Sequence, residues 1–423
     1  MAVSTGIKGA STTVKGASME MRSRLAEKRS RRRLRMAGAA TVGSLPATDY
    51  EVVAYFPDYP THLYQIRQWL EPLAELHKRH PVLLLTRSAR SASALMPDCQ
   101  FPVVYAAKHR DIDPLIRLQR LKVALYTSNN MRNAALLWHP DLLHVFIGHG
   151  ESDKTGVSAS NQLKAYDFCF VSGQASVDRM RHRLINYDTS ARCIEAGRPQ
   201  IDLVVVNPAF RRSGRTVVLY APSWEGDRPA SSYGSLASHG EQIVRSLLAA
   251  GQYQVIFRPH PLAGSTSSSF AAARNRIVAL LERANQEDPS AGHLVDTNSD
   301  FGWQLQAADV CVADISAVTF DWLATRKPLV VTRPTAPDAL VDRNGIAGRL
   351  VLLDADRAAD APEALRQAGS AQSLAAIDAL ATYYFGDTAP GASTARWLGA
   401  IDRVIELRDA AVAVRDAQPP TRD

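Results

Sequence analysis

Short apolar runs recur along the chain from Tyr50, at Tyr50–Phe56, Val82–Thr86, Val103–Tyr105, Val123–Tyr126, Leu143–Ile147 and Phe168–Val171. Each is too short for a core helix and is bounded by polar or turn residues, which predicts buried strands. Helical spacing lies between several of them, clearest over Leu63–His80, where Leu63, Ile66, Leu70, Leu73 and Leu76 share one face. A second set follows at Val217–Ala221, Val255–Arg258, Val310–Ala313, Leu329–Val331 and Leu350–Leu353. Strands alternating with helices predict parallel sheets covered on both faces. Two such sets predict an α/β protein of two doubly wound, Rossmann-like domains facing each other across a cleft. The stretch Leu203–Gly214, with Pro208, Arg211 and Arg212, reads as a linker, and Ser393–Arg408 as a closing helix with Trp397, Ile401, Val404 and Ile405 on one side. The expected divisions are an arm over 1–48, a first domain over 49–207, a second over 208–390, and a closing helix with a loose tail over 391–423.

Composition changes this picture at one end. The chain has 423 residues, 46% of them hydrophobic, enough for a large core, and a formal net charge of +7. Residues 1–36 contain ten Lys and Arg against Glu20 and Glu27, so this segment alone carries +8 and the remainder is close to neutral. It is rich in Ser and Gly at its start, which predicts disorder with a helical stretch from about Met19 to Met36. Such an arm suits anionic lipid head groups or nucleic-acid phosphates, resembles an organellar transit peptide, and in its plainest reading is a solvated extension. Cys99, Cys169, Cys193 and Cys311 are scattered without C-x-x-C spacing and read as reduced residues of a cytosolic protein. No apolar run approaches the ~18 residues of a membrane span, and a secretory signal pattern is missing.

Candidate chemistry sits where apolar runs end. Val310–Ala313 runs into Asp314 and Ser316 at a corner, and a helical pattern follows until Lys327-Pro328. Ser316 is either a plain N-cap or a hydroxyl donor to an anion at the helix start. Val255–Phe257 runs into Arg258-Pro259-His260-Pro261, a cation-rich turn fixed by two prolines. In open parallel sheets ligands bind outside the carboxyl ends of strands, which makes both corners candidates. A third is Phe146-Ile147-Gly148-His149-Gly150, where a histidine between glycines is placed for general-base work. His109, His139 and His144 lack that setting and read as local hydrogen-bonding residues. There is no Walker loop, no complete dinucleotide fingerprint and no H-E-x-x-H, so triphosphate hydrolysis and a metalloenzyme lose support; no metal or cofactor is expected.

Taken in order, these segments resemble the CDP-glycerol glycerophosphotransferases, the polymerases and primases of teichoic acid synthesis, which have a GT-B fold. His149-Gly150 followed by Lys154 is similar to the family's His-Gly-x-x-x-Lys, and Gly197-Arg198-Pro199-Gln200-Ile201-Asp202 to its Gly-x-Pro-Arg-x-Asp. Ala221-Pro222-Ser223-Trp224 resembles its Pro-Thr-Trp strand end, and Arg258-Pro259-His260-Pro261 its basic-x-His-Pro motif. Asp314-Ile315-Ser316, Phe320-Asp321 and Lys327-Pro328 resemble its Asp-x-Ser-Ser, Phe-Asp and Lys-Pro block, and Gly391-Ala392-Ser393-Thr394 with Arg396 its closing Gly-x-Ser-x-x-Arg. Residues 50–148 match no motif.

The resemblance implies transfer of an alditol phosphate, glycerol phosphate first, from a CDP-alditol to a hydroxyl of a polyprenyl-diphosphate-linked or polymeric acceptor, with CMP released. It implies His149 and His260 as catalytic residues, and Arg258, Ser316, Asp314, Lys154, Ser223 and Asp321 as donor or phosphate ligands. For Asp321, support of the first helical turns is favoured slightly over donor recognition. The chain departs from the pattern at Gly148, Gln200 and Ala317, and at Glu151-Ser152-Asp153, where negative charge beside His149 would either alter acceptor choice or raise its pKa. With such a partner set, residues 19–36 would hold the enzyme at the inner, anionic face of the plasma membrane, cytoplasmic and peripheral, with no nucleic-acid partner. A UDP-sugar glycosyltransferase or epimerase of the same fold is the alternative, and a non-enzymatic anion- or nucleic-acid-binding protein the second.

Overall fold

Two parallel sheets carry the chain. In the first, Val52–Phe56 (β1), Val82–Thr86 (β2), Val103–Tyr105 (β3), Val123–Tyr126 (β4), Leu143–Phe146 (β5), Phe168–Val171 (β6) and Cys193–Glu195 (β7) lie in the order β3-β2-β1-β4-β5-β6-β7. In the second, Thr216–Ala221 (β8), Tyr253–Phe257 (β9), Leu294–Val295 (β10), Val310–Ala313 (β11), Leu329–Thr332 (β12) and Leu352–Leu353 (β13) lie in the order β10-β9-β8-β11-β12-β13. This is a computed structural model; it describes residues 49–418 apart from 119, 152, 154–159, 206, 208, 227–231, 299–300, 340 and 343, together with Arg29, Ser30, Leu34 and Leu45. The expected arm therefore lies almost wholly outside the described residues, and Lys154 lies outside them too.

Every expected strand is present with its ends shifted by at most two residues, because uniformly apolar runs suit strands covered on both faces. β1, β2, β9 and β11 are buried along their whole length. β7 and β10 escaped the sequence reading; both are short, only half-buried and lack an apolar run. Each sheet reverses its winding once, between β1 and β4 and between β8 and β11, with registers Val52↔Val123 and Val310↔Val218. At such a switch point the loops leaving two neighbouring strands diverge and open a crevice.

The described residues form two compact units. The first runs to His149 and includes Gln162–Phe170 and Leu398 onward; the second is Gly150–Asn161 with Val171–Trp397. The border falls inside the His149-Gly150 pair, not in the stretch expected as a linker. Residues 171–207 belong to the second unit because the helix Gln174–Arg183 is committed there. Ala175 sits in that unit's apolar cluster with Tyr384, and Asp178 accepts a hydrogen bond from the Tyr383 hydroxyl at 2.9 Å. The closing helix Ala392–Asp416 contributes to both units.

One expected helix is two. Leu63–His80 breaks into Tyr64–Arg67 and Leu70–His77. Pro72 has no N–H to offer the carbonyl of Gln68, so a continuous ladder cannot form through this point. The break frees Gln68 and Trp69 for a task in the candidate site.

Cys169 and Cys311 are fully buried in β6 and β11, and all four cysteines are free thiols. The core of the second unit centres on Trp322, fully buried, whose indole N–H donates to the Pro328 carbonyl at 3.0 Å. Trp322→Ala should destabilise that unit by about 3–5 kcal/mol. Urea unfolding measures this, and a change below about 1 kcal/mol would show that the site collapses without a cavity.

Candidate active site

In the first unit the sequence places His149 just past the carboxyl end of β5. Its imidazole Nδ1 donates to the Thr127 carbonyl at 2.9 Å; a carbonyl only accepts, so Nδ1 holds the proton and Nε2 the lone pair of the neutral ring. Gln68 Nε2 donates to the His149 carbonyl at 2.6 Å, and the Trp69 indole donates to the Gly148 carbonyl at 2.7 Å. Both donors come from the helix break caused by Pro72. Gly148 takes φ +65°, a left-handed turn that a side chain would strain, and the Tyr64 ring stands edge-on to the imidazole at 5.8 Å. Tautomer and ring orientation are thus constrained by residues of the first unit.

In the second unit His260 has the opposite arrangement. The Leu262 N–H donates to its Nδ1 at 3.1 Å, so Nε2 carries the proton of the neutral ring and is a donor. The ring stacks on Trp224, centroids 6.0 Å apart and planes at 19°. Glu225, next to Trp224, ties the following loop: its carboxylate accepts from the N–H groups of Gly264 at 2.9 Å, Thr266 at 2.7 Å and Ser267 at 2.9 Å. Burial works to raise its pKa, but these backbone donors prevail and hold the carboxyl at about 2. Sequence reading passed over Glu225; its partners lie some forty residues downstream, and only its place beside the Pro-x-Trp motif marks it.

Arg258 follows β9 and donates to Asp296 at 2.5 Å, with its guanidinium 5.2 Å from the Phe301 ring centroid. Asp296, fully buried after β10, also accepts from Gln304 at 2.5 Å. The arginine is therefore held in place by a carboxylate that the sequence reading missed. Ser316 stands at the N-cap position of the helix Ala317–Leu323, yet its side chain makes no cap bond, and its buried hydroxyl has no partner among the described residues.

Asp314 and Ser223, expected together among the phosphate ligands, are bound to each other. Asp314 is 0% exposed, and its carboxylate accepts from Ser223 N at 2.6 Å, Ser235 N at 3.0 Å and the Thr332 hydroxyl at 2.7 Å. Burial pushes its pKa up, against the pull of those donors. It joins the ends of β8, β11 and β12, and so fixes the floor of the switch-point crevice.

Asp321, expected to support the first helical turns, is the fifth residue of its helix and pairs with Arg198 at 2.9 Å. Burial raises its pKa and Arg198 opposes this. The pair links the Gly-Arg-Pro segment to the Phe-Asp segment. Gly197, at φ +76°, admits no Cβ because one would stand 2.5 Å from the Ser393 hydroxyl, which itself accepts from Arg198 N at 2.6 Å. Lys327 donates to the carbonyls of Leu305 and Ala308, both at 2.9 Å. Several motif residues thus fasten one motif to another.

The acidic departure Glu151-Ser152-Asp153 also differs from expectation. Both carboxylates are buried in the second unit against Arg179, which donates to Asp153 at 3.0 Å and to Glu151. Ser176 donates to Glu151 at 2.6 Å and the Tyr384 hydroxyl to Asp153 at 2.7 Å. Arg179, Ser176 and Tyr384 together hold the two carboxylates in place there. Among the described residues no group of three or more His, Cys, Asp or Glu is placed to hold a metal ion.

Residues 136–336 match the family described as CDP-Glycerol:Poly(glycerophosphate) glycerophosphotransferase. Over this region, just under half of the chain, the sequence is similar to the CDP-glycerol glycerophosphotransferases. The matched region contains His149, Arg258, His260, Ser316 and Asp321, and stops before the closing Ser393–Arg396 segment. No curated protein sequence matches the chain. Among solved structures, a protein of Listeria monocytogenes provisionally named UDP-N-acetylglucosamine 2-epimerase aligns with TM-score 0.58 and 14% identity, over 85% of this chain and 98% of that one. The wall teichoic acid polymerase TagF aligns at 0.54 and 13%, over 85% and 89%. MnaA of S. aureus, solved with UDP, aligns at 0.54 and 12%, over 85% and 97%. At these identities the likeness is one of fold, and with the two parallel sheets it makes the fold GT-B-like.

The Glu225 clamp has a pH signature. A carboxyl held below its free value of 4.5 contributes stability that is fully present above that value and lost as pH falls through about 2. Glu225→Gln should therefore lower the melting temperature at pH 7, and the gap to the parent protein should close between pH 5 and pH 2. A gap that stays constant with pH would show that the clamp is not electrostatic.

Proposed function

We propose that the protein transfers an alditol phosphate, with glycerol phosphate the first choice, from a CDP-alditol to a hydroxyl of a lipid-linked or polymeric cell-envelope acceptor. The observation that carries this reading is the pair of complementary histidines. His149 presents a lone pair at Nε2 and suits a proton acceptor; His260 presents an N–H at Nε2 and suits a donor to phosphate oxygen. The acceptor oxygen attacks the β-phosphorus and its proton passes to His149. The bond from that phosphorus to the bridging oxygen breaks, and CMP leaves with the bridging oxygen. Such a displacement depends on positioning and charge stabilisation. Arg258, kept in place by Asp296, and the unpartnered Ser316 hydroxyl serve the diphosphate; Asp314 and Ser223 shape the crevice around it. The family match supports a CDP-glycerol donor, and one TagF variant was solved after a soak with CDPG. The UDP-sugar alternative has only a likeness of fold behind it.

The basic segment 19–36 supplies contact with an anionic membrane surface, in keeping with a lipid-linked acceptor. No helix among the described residues is long and apolar enough to cross a membrane. Deleting residues 1–36 should weaken binding to phosphatidylglycerol vesicles and leave donor binding unchanged; equal vesicle binding by the shortened chain would refute the assignment.

His149→Ala and His260→Ala should each lower turnover by about 100-fold or more. They should part in binding. His149→Ala keeps the CDP-glycerol dissociation constant, whereas His260→Ala raises it, because only His260 touches the donor in the resting complex. Calorimetric titration with CDP-glycerol beside turnover measurements checks this, and near-normal turnover in both variants would remove the two histidines from the reaction.

A further inference from the structure

The chain leaves the first unit and enters the second at the peptide bond between His149 and Gly150. The candidate base therefore has an anchor on each side. Upstream, Thr127 holds the ring, while Gln68 and Trp69 hold the carbonyls of His149 and Gly148. Downstream comes Glu151-Ser152-Asp153, where the chain departs from the motif pattern, and here the anchor is ionic.

Glu151 is 5% exposed and Asp153 3%, and their partners all belong to the second unit. The helix Gln174–Arg183 supplies Arg179, which donates to both carboxylates, and Ser176, which donates to Glu151 at 2.6 Å. The helix Ala371–Phe385 supplies the Tyr384 hydroxyl, 2.7 and 2.8 Å from the two Asp153 oxygens. The short helix Ile346–Arg349 begins on Asp153: the Ile346 N–H donates to its Oδ2 at 2.9 Å, and a Cβ on Gly345 would collide with the carboxylate. Three helices thus converge on two carboxylates that follow His149 at the second and fourth positions.

Stability alone does not account for this cluster. Burying two carboxylates and a guanidinium is costly, and apolar side chains of equal volume commonly stabilise a core as well or better. What directional donors add is register, since a carboxylate bound from several helices cannot slide along any of them. Register matters here because Gly150, between the base and the anchor, lies over the corner assigned to the donor. A Cβ on Gly150 would stand 3.9 Å from the Ala317 Cβ and 3.9 Å from a guanidinium nitrogen of Arg198. Ala317 follows Ser316, and Arg198 pairs with Asp321 of the same helix.

We infer that Glu151, Asp153 and Arg179 are positioning residues for His149. They fix the exit of its loop on the donor corner, so that the base is placed from the second unit as well as from the first. The inference rests on the transferase reading for what His149 does, but not for how it is held.

The test compares the full chain with Glu151→Gln and Asp153→Asn, which keep size and remove charge, and with Ser176→Ala and Tyr384→Phe, which each remove one donor hydroxyl. One readout is the ring ¹H–¹³C NMR signal of His149 in the protein without ligand. The other is turnover of CDP-glycerol with a lipid-linked acceptor, counted per donor-binding site from calorimetric titration. In the two carboxamide variants the His149 signal should shift or broaden while that of His260 stays. Their kcat should fall by about ten- to a hundredfold, with the donor KM and dissociation constant unmoved. The hydroxyl variants should show the same changes in smaller measure, and they carry the test if a carboxamide variant does not fold. Arg179→Lys, which keeps a cation against both carboxylates, should retain more turnover than Arg179→Gln. A His149 signal and a kcat per site equal to the parent's in the folded variants overturns the positioning role. Turnover lost only in step with melting temperature and donor-binding sites overturns it as well. A His149 signal that moves as expected in a protein that releases no CMP keeps the role and defeats the transferase reading.

Discussion

A carboxylate with no exposure to water holds the second unit's crevice in shape. Asp314 leaves β11 at the point where the strand order reverses, and it accepts hydrogen bonds from chain segments that follow β8 and β12. Without those donors a buried charge would be untenable. With them, the loops leaving β8, β11 and β12 cannot move independently. Everything the unit does for a ligand is arranged on that framework. Ser316 stands two residues after Asp314, while Trp224 follows Ser223 and stacks on His260.

The same principle recurs one residue further from the chemistry. Arg258 is placed by Asp296, the His260 loop by Glu225, and Arg198 by Asp321. Asp296 and Glu225 lie in no motif segment, whereas Arg198 and Asp321 join two of them. A guanidinium fixed by a carboxylate on one edge keeps other N–H groups for a ligand and does not have to be ordered when the ligand arrives. The first unit achieves this for His149 by other means, with a carbonyl, a glutamine and an indole that set tautomer and ring plane.

How far the sequence revealed this depends on the range of the interaction. Strands were legible because a run such as Val310–Ala313 is apolar at every position, a local signal. β7 and β10 were not, since a short half-buried edge strand has no such run. The helix over Leu63–His80 was overcalled because an apolar face continues through Pro72 although the backbone ladder cannot. Of the candidate site, the residues with unusual local settings stand out in the sequence: His149 between glycines, His260 between prolines, Ser316 at a strand end. Asp296 and Glu225 do not, because each gains its meaning from partners tens of residues away. The protein partners of Asp321 and Asp314 are likewise distant in sequence and leave no local signal.

The central claim is that these two units carry out phosphoryl transfer from a cytidine diphosphate donor. Its most direct measurement is ³¹P NMR of the protein incubated with CDP-glycerol and a lipid-linked acceptor, run beside UDP-N-acetylglucosamine. The expected result is the appearance of CMP together with a new phosphodiester resonance, with the UDP-sugar unchanged. Persistence of CDP-glycerol while the UDP-sugar is epimerised or releases UDP would contradict it.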